Sequence, residues 1–255
     1  MKSDRLDVQD EIGFLTATYN SMVSRMDELI NNVHRAELRN KEAAYKVLQA
    51  QIKPHFLYNT LETIRMVAIS NNDQEAAKLA FWFGKLMRYS LSSNQDQTLL
   101  SMEFEIAVFY LNIHKMRLQD RLTYSIDLKA DADRIACPRF ILQPILENVI
   151  VHSVSSTLRP IHIDIQAIET SDDIRITVTD NGNGIPPDRL RAIQARLVST
   201  PDDAEDRTGG GVGLVNVNER IKSFFGDRSR IDIASEDGKG TTLCMIMTKR
   251  EVSAS

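Results

Sequence analysis

Apolar residues recur at alternating steps of three and four through Ile12, Leu15, Tyr19, Met22, Met26, Leu29, Val33 and Ala36, then through Ala43, Val47 and Ala50. Such alternation keeps a single seam on a helix of about 3.5 residues per turn, the repeat of a coiled coil. It persists for more than five heptads, whereas helices packed inside a globular monomer run to roughly 8–20 residues. Asn40 occupies the seam between Ala36 and Ala43. A polar residue there sets register and strand number at some cost in stability. The same seam continues through Pro54, Leu57, Leu61, Ile64 and Ala68. The spacing therefore predicts one long helix, kinked at Pro54, associated with a second copy of itself.

Proline in a helix interior loses a backbone hydrogen bond and clashes one turn back, at about 3 kcal/mol. A sequence that keeps it there has a use for the local geometry. His55 follows directly. At about 100° per residue it falls off the apolar stripe, beside Gln51, Asn59 and Glu62. The ring is thus expected on a flank, facing solvent or a partner domain. From this stretch alone, an ordinary solvated histidine is an equal reading.

Ser70-Asn71-Asn72-Asp73 reads as a turn and helix cap. A second helix is predicted from about Gln74 to Leu91, with Ala76, Leu79, Ala80, Phe83, Leu86 and Met87 on its apolar face. Two antiparallel helices cannot bury both faces alone, but two copies can, as a four-helix bundle. A homodimer through residues 12–91 is the expectation. After a polar linker at 92–97, a third helix is expected over about Ser101–Arg117.

From Leu122 the period changes to two. Leu122, Tyr124, Ile126 and Leu128 alternate with polar residues, as do Ile161, Ile163, Ile165 and Ile174, Ile176, Val178. Ile231, Ile233 and Leu243, Met245, Met247 flank Asp237-Gly238-Lys239-Gly240, a hairpin turn. Helices are expected at about Phe140–Ser153 and Val215–Phe225. The fold class is α+β: a helical hairpin forming a dimeric bundle, then an α/β sandwich with helices on one face of a mixed or mostly antiparallel sheet.

Three segments of this second part can carry chemistry. Asn148 and His152 are four apart on the helix that also carries Glu147, so they share a face. An amide oxygen and an imidazole there suit a divalent cation and phosphate oxygens. Asp180-Asn181-Gly182-Asn183-Gly184 ends a strand. Its glycines allow a tight turn, and its carboxylate can accept a hydrogen bond from an exocyclic amine. Gly209-Gly210-Gly211-Val212-Gly213-Leu214 opens a helix, where backbone N–H groups bind anions. The roughly two dozen residues between the last two segments read as a lid or loop.

Taken together, these segments resemble the ATP-binding domain shared by gyrase, heat-shock chaperone, histidine kinase and MutL. Gln51-x-x-Pro54-His55-Phe56-Leu57-Tyr58-Asn59 resembles the phosphoacceptor box of LytS/YesM-type sensor histidine kinases. Arg88-Tyr89-Ser90-Leu91, Leu142-Gln143-Pro144-Ile145-Leu146-Glu147-Asn148 and Gly213-Leu214-x-Asn216-x-x-x-Glu219-Arg220 match as well. Asp10-Glu11-Ile12-Gly13 resembles the start of the second helix of a HAMP signal-relay module, of which only that half is present. The resemblance implies a HAMP-like helix over 1–34, a dimerisation and phosphotransfer hairpin over 35–100, a connecting helix over 101–120 and an ATP-binding domain over 121–250. It implies that His55 accepts phosphate, with Asn59 beside it and Glu147 a candidate base. Asn148 would hold Mg²⁺, His152 would approach the phosphates and Asp180 would read adenine. Gly182, Gly184, Gly209, Gly211, Gly213 and Leu214 would shape the ATP site. The partner implied is the receiver domain of a response regulator, and the implied cofactors are ATP and Mg²⁺.

Composition narrows the alternatives. A net charge of −4 over 255 residues argues against a nucleic-acid surface. Cys137 and Cys244 have no metal-site or disulfide spacing, which fits a reducing cytosol. No run approaches the roughly 20 apolar residues of a membrane span. The chain itself is therefore expected to be soluble, and the resemblance implies that it is the cytoplasmic portion of a plasma-membrane receptor whose spans and sensor precede Met1. Two other functions share these motifs: a conformational ATPase with the same nucleotide domain, and a non-catalytic dimeric relay.

Overall fold

The computed structural model describes residues 54–92, 96–154, 159–198 and 212–249, with Met22, Arg25 and Met26. The seam over residues 12–50, apart from the exposed Met22 and Met26, lies outside the described residues, as do Gly209 and Gly211. The chain divides into two compact units, Met1–His55 and Phe56–Ser255. Among the described residues no helix is long and apolar enough to cross a membrane.

Helix α1 (Pro54–Ser70) ends in a turn where Asn72 takes φ +59°. Helix α2 (Gln74–Leu91) opens on Asp73, whose Oδ1 accepts the Ala76 N–H at 2.9 Å. That bond satisfies one of the donors a helix start leaves open. The two helices touch where Gly84 leaves room for Leu61: a Cβ at Gly84 would lie 3.9 Å from the leucine side chain. Their remaining faces keep Phe56, Ile64, Val67, Leu79 and Phe83 exposed, Phe56 to 67%. Leu79 and Phe83 belong to the predicted apolar face of α2, yet Ala77, Ala80 and Tyr89 are what the helix buries.

Helix α3 (Leu100–Leu118) explains that choice. Leu100, Phe104, Ala107 and Leu111 enter the main core. Ile106 and Phe109, on another side, pack with Trp82, Leu86 and Tyr89 of α2. A helix apolar on more than one side is buried between layers. Just before it, strand β1 (Gln97–Leu99) pairs antiparallel with β3 (Ala136–Pro138), a ribbon too short to announce itself by period.

The main sheet holds β2 (Leu122–Lys129), β4 (Ile161–Glu169), β5 (Asp173–Asp180), β6 (Arg230–Glu236) and β7 (Gly240–Thr248), in the order β2-β4-β5-β7-β6. Strands β2 and β4 are parallel and the other neighbours antiparallel, so β2 and β6 form the edges. The predicted alternation is observed: Ile161, Ile163, Ile165 and Ala167 are buried while His162 and Gln166 are exposed. Each fully buried Ile or Leu contributes about 1.5–3 kcal/mol. A parallel pair needs a long crossover. Here the crossover carries β3 and helix α4 (Gln143–Val149), and the buried Ile145 and Leu146 put α4 into the core.

Two helix expectations need correction. The helix predicted over Phe140–Ser153 begins later, at Gln143, because Phe140 takes φ +59° and the N–H groups of residues 140–142 bond to Glu103. It ends in a π-helical turn, Ile150–Val154. The stretch read as a lid contains helix α5 (Pro187–Val198), which buries Ile193 and Leu197 one turn apart. Proline at the first helical position and the Leu190, Ile193, Leu197 spacing were the signals for it. Helix α6 (Val212–Phe225) starts slightly before its predicted span.

Asn218 of α6, 1% exposed, locks this layer together. Its Nδ2 donates to Leu197 O at 2.9 Å and its Oδ1 accepts the Ile231 N–H at 2.9 Å. Asn218→Ala leaves the Ile231 N–H without its side-chain acceptor and leaves Leu197 O only the 3.5 Å bond from Lys222 Nζ, at about 1–3 kcal/mol for an unsatisfied buried group. Urea unfolding followed by circular dichroism should show the variant less stable by about 1–3 kcal/mol.

Candidate functional site

The site begins at the end of β5. Asp180 is buried, and its Oδ1 accepts the Gly182 N–H at 2.8 Å, closing the turn that follows. That turn is pressed against the β6–β7 hairpin. Gly184 has φ +68°, and a Cβ there would sit 2.0 Å from Glu236 O. Gly240 has φ +122°, and its Cβ would sit 2.0 Å from Asp180 O. Both positions exclude any side chain, on conformation and on space. Ser235 Oγ completes the clasp, accepting the Ile185 N–H at 2.9 Å and donating to Gly240 O at 2.8 Å.

The clasp forms one wall of a cleft; α4, α5 and the start of α6 form the rest. Asn148, His152, Asp180, Gly184 and Leu214 all line it. So do Ile145, Val178, Ile193 and Leu243, which make the lining largely apolar. An apolar slot with a few placed polar groups is the usual form of a small-molecule site. The π-helical turn carries His152, exposed, into the same cleft as half-buried Asn148. Gly213 lies beside Asn148: a Cβ on it would be 3.7 Å from Asn148 Nδ2.

Two polar lining residues were missed from sequence, Arg189 and Thr241. Arg189 stands on the first turn of α5, which was read as loop. Thr241 pairs in register with Asp180 across β5 and β7; strand register between distant segments leaves no local mark in a sequence.

Glu147 does not join the cleft lining. Its Oε1 accepts a bond from Gln143 Nε2 at 2.8 Å, and its charge acts on α3 instead. There the Tyr110 hydroxyl is pushed up to about 12, first by burial and then by Glu147. The His114 ring is held below its ordinary value, first by burial and then by Arg117, against the opposing pull of Glu147.

On α1, Pro54 is the first described residue, so the predicted kink itself lies outside the described residues. His55 is exposed, and Asn59, also exposed, follows one turn on. Glu62 is engaged elsewhere: its Oε2 takes Arg65 Nε–H at 2.9 Å, and that bond holds its carboxyl below the usual range.

The chain matches the family model described as histidine kinase over residues 43–122 and the one described as histidine kinase-, DNA gyrase B- and HSP90-like ATPase over residues 134–251. It is 34% identical to the sensor histidine kinase YesM of Bacillus subtilis over 242 residues, which covers 95% of this chain and 40% of YesM. It is 31% identical to the sensor protein LytS of Staphylococcus epidermidis, covering 82% of this chain and 34% of LytS. YwpD of Bacillus subtilis is 34% identical, with 93% of this chain and 81% of YwpD covered.

The chain belongs to the sensor histidine kinase family.

It spans less than half the length of the YesM and LytS proteins it matches. The histidine kinase match includes His55 and Asn59, and the ATPase match includes each cleft residue named above. Within this family frame the closure of the Asp180 turn is directly testable. Gly184→Ala must displace either the turn or the Glu236 carbonyl, and a non-glycine residue at positive φ adds about 1–2 kcal/mol of strain. Titration with a fluorescent ATP analogue should show affinity reduced by about tenfold or more. Gly226→Ala, at a positive φ with nothing within 4 Å of the added carbon, controls for strain alone and should bind as the native chain does.

Proposed function

We propose that this chain is a dimeric protein-histidine kinase module that phosphorylates His55 from Mg-ATP and passes the phosphoryl group to an aspartate of a response-regulator receiver domain. The observation that carries the reading is the single cleft lined by Asn148, His152, Asp180, Gly184 and Leu214. It is coupled in sequence to an exposed histidine in a matching phosphoacceptor box.

In this reading the buried Asp180 carboxylate accepts a hydrogen bond from the adenine amine, and the apolar walls of the cleft hold the ring. Thr241, paired with Asp180, is placed to share that end of the site. His152 and the start of α6, with Gly209, Gly211 and Gly213, serve the phosphates. Magnesium bound with a nucleotide needs only one or two protein ligands besides phosphate and water. The amide oxygen of Asn148 meets that need. The ion supplies neutralisation of phosphate charge.

His55 does the chemistry. A neutral ring nitrogen forms a bond to the γ-phosphorus while the bond from that phosphorus to the β–γ bridging oxygen breaks and ADP leaves. Phosphoryl transfer of this type depends on in-line positioning and charge stabilisation more than on acid–base chemistry. Asn59 orients the ring. Glu147, next to Asn148 in the chain but exposed outside the cleft lining, is the group we assign as base, acting on a ring that docks at the rim of the cleft. The second copy docks on the apolar rows of α1 and α2, where Phe56, Ile64, Val67, Leu79 and Phe83 lie exposed. In this reading, membrane attachment is a property of a parent receptor and not of the residues of this chain.

Incubation with γ-labelled ATP and Mg²⁺ tests the reading. Label on the native chain should survive base, be lost in acid, and be absent from His55→Gln and Asn148→Ala. Phosphate release with no label on the chain would replace the kinase with an ATPase. Failure to bind an ATP analogue would leave only a non-catalytic relay. Glu147→Gln should slow labelling by about a hundredfold or more, the range of general-base contributions; an unchanged rate removes that role. Sedimentation should give a dimer that Ile64→Asp with Phe83→Asp converts to a monomer.

A further inference from the structure

Helix α4 carries Asn148 into the cleft, and the segment that starts α4 is held by one buried side chain. Glu103 of α3 is 2% exposed. Its Oε1 accepts the Phe140 N–H at 2.7 Å; its Oε2 accepts the Ile141 N–H at 2.8 Å and the Leu142 N–H at 3.0 Å. Consecutive N–H groups converge this way where one residue is left-handed, forming an anion nest. Phe140, at φ +59°, is that residue. The Tyr89 hydroxyl of α2 donates to the same Oε1. Both carboxylate oxygens therefore accept two bonds each.

The neighbouring Arg139, 8% exposed, faces the other way. Its guanidinium donates to the Tyr89 and Ser92 carbonyls and, at 3.0 Å, to Ser92 Oγ, all at the C-terminal end of α2. It also lies 4.2 Å over the Tyr89 ring. A cation on the last carbonyls of a helix satisfies open acceptors and opposes the helix dipole. Arg220 of α6 closes the third side, donating to Arg139 O at 2.7 Å and Phe140 O at 3.2 Å. Residues 139–142 are thus clasped by the end of α2, by α3 and by α6, and both helices that border Asn148 start from or bind this clasp.

We propose that Glu103 and Arg139 are positioning residues: Glu103 sets α4 for nucleotide binding, and Arg139 ties that setting to the C-terminal end of α2, so that nucleotide occupancy is transmitted to the phosphotransfer hairpin. The inference rests on the nucleotide site proposed above. A purely structural role would move stability alone. Transmission moves a ligand-dependent signal at a distance from the ligand.

The test combines nucleotide affinity with amide hydrogen exchange at residues 86–92, using a non-hydrolysable ATP analogue with Mg²⁺. In the native chain the analogue should slow exchange at 86–92 by about threefold or more, a readout of local opening. Arg139→Met keeps the Glu103 nest, so its affinity should stay within about twofold of native, about 0.4 kcal/mol, while the slowing at 86–92 disappears. Glu103→Gln replaces one acceptor oxygen with an NH₂ group, and affinity should fall by about tenfold. If Glu103→Gln does not fold, Tyr89→Phe, which removes one hydroxyl from the same carboxylate, takes its place and should lose at least half the slowing. Undiminished slowing in Arg139→Met, or native affinity in folded Glu103→Gln, overturns the proposal. A native chain that binds the analogue without slowing at 86–92 overturns it while sparing the nucleotide site. A native chain that binds no analogue removes both.

Discussion

A carboxylate with almost no solvent contact is costly unless its lone pairs are filled; the penalty for a buried ion is several kcal/mol. Glu103 meets that demand with three main-chain donors and the Tyr89 hydroxyl. The same bonds solve a second problem, the left-handed Phe140 and the open donors at the start of α4. Neither the charge nor the backbone conformation would be tolerated alone. Burial, followed by the Glu103 charge, pushes the Tyr89 hydroxyl far above its ordinary value. Tyr89 therefore keeps its proton and remains a donor to the carboxylate. The Cys137 thiol is pushed up by the same two causes in the same order, so it is inert as a nucleophile.

The residues legible in the sequence are those whose signal is local. Period-two runs marked β2, β4, β5, β6 and β7, and the glycines after Asp180 marked a tight turn. Asn148 and His152 were readable from helical spacing, although the turn between them is π-helical. Glu103 gave no such signal. Its partners lie 14 to 39 residues away, and in sequence it is one more acid on a helix. Asn218 and Thr241 stayed hidden for the same reason: their roles depend on strand register and on contacts between segments that only the fold brings together. Helix α5 was different, because its spacing was present but the length of the stretch between the two glycine segments read as a lid or loop.

Family membership and cleft geometry divide the labour of identification. The family matches cover both the helical and the sheet-containing parts of the chain. The geometry adds what alignment to a family does not: Gly184 and Gly240 are forced by steric exclusion, and Asp180 is held by the turn it closes. It also separates two adjacent residues of α4. Asn148 faces the cleft, whereas Glu147 acts on Tyr110 and His114 of α3.

The sheet edges bear on how copies of this chain meet. On β2, Lys129 pairs with Asp127 at 2.7 Å, and on β6, Arg230 pairs with Asp232 at 3.0 Å. All four side chains are largely solvated, as is Glu236 at the end of β6. Charge along an edge discourages another strand from adding to it. The sheet thereby resists growth into continuous β-structure at high local concentration. Protection from aggregation is written into the two outermost strands, while the exposed apolar rows of α1 and α2 carry no such charge and are where the proposed dimer contact falls.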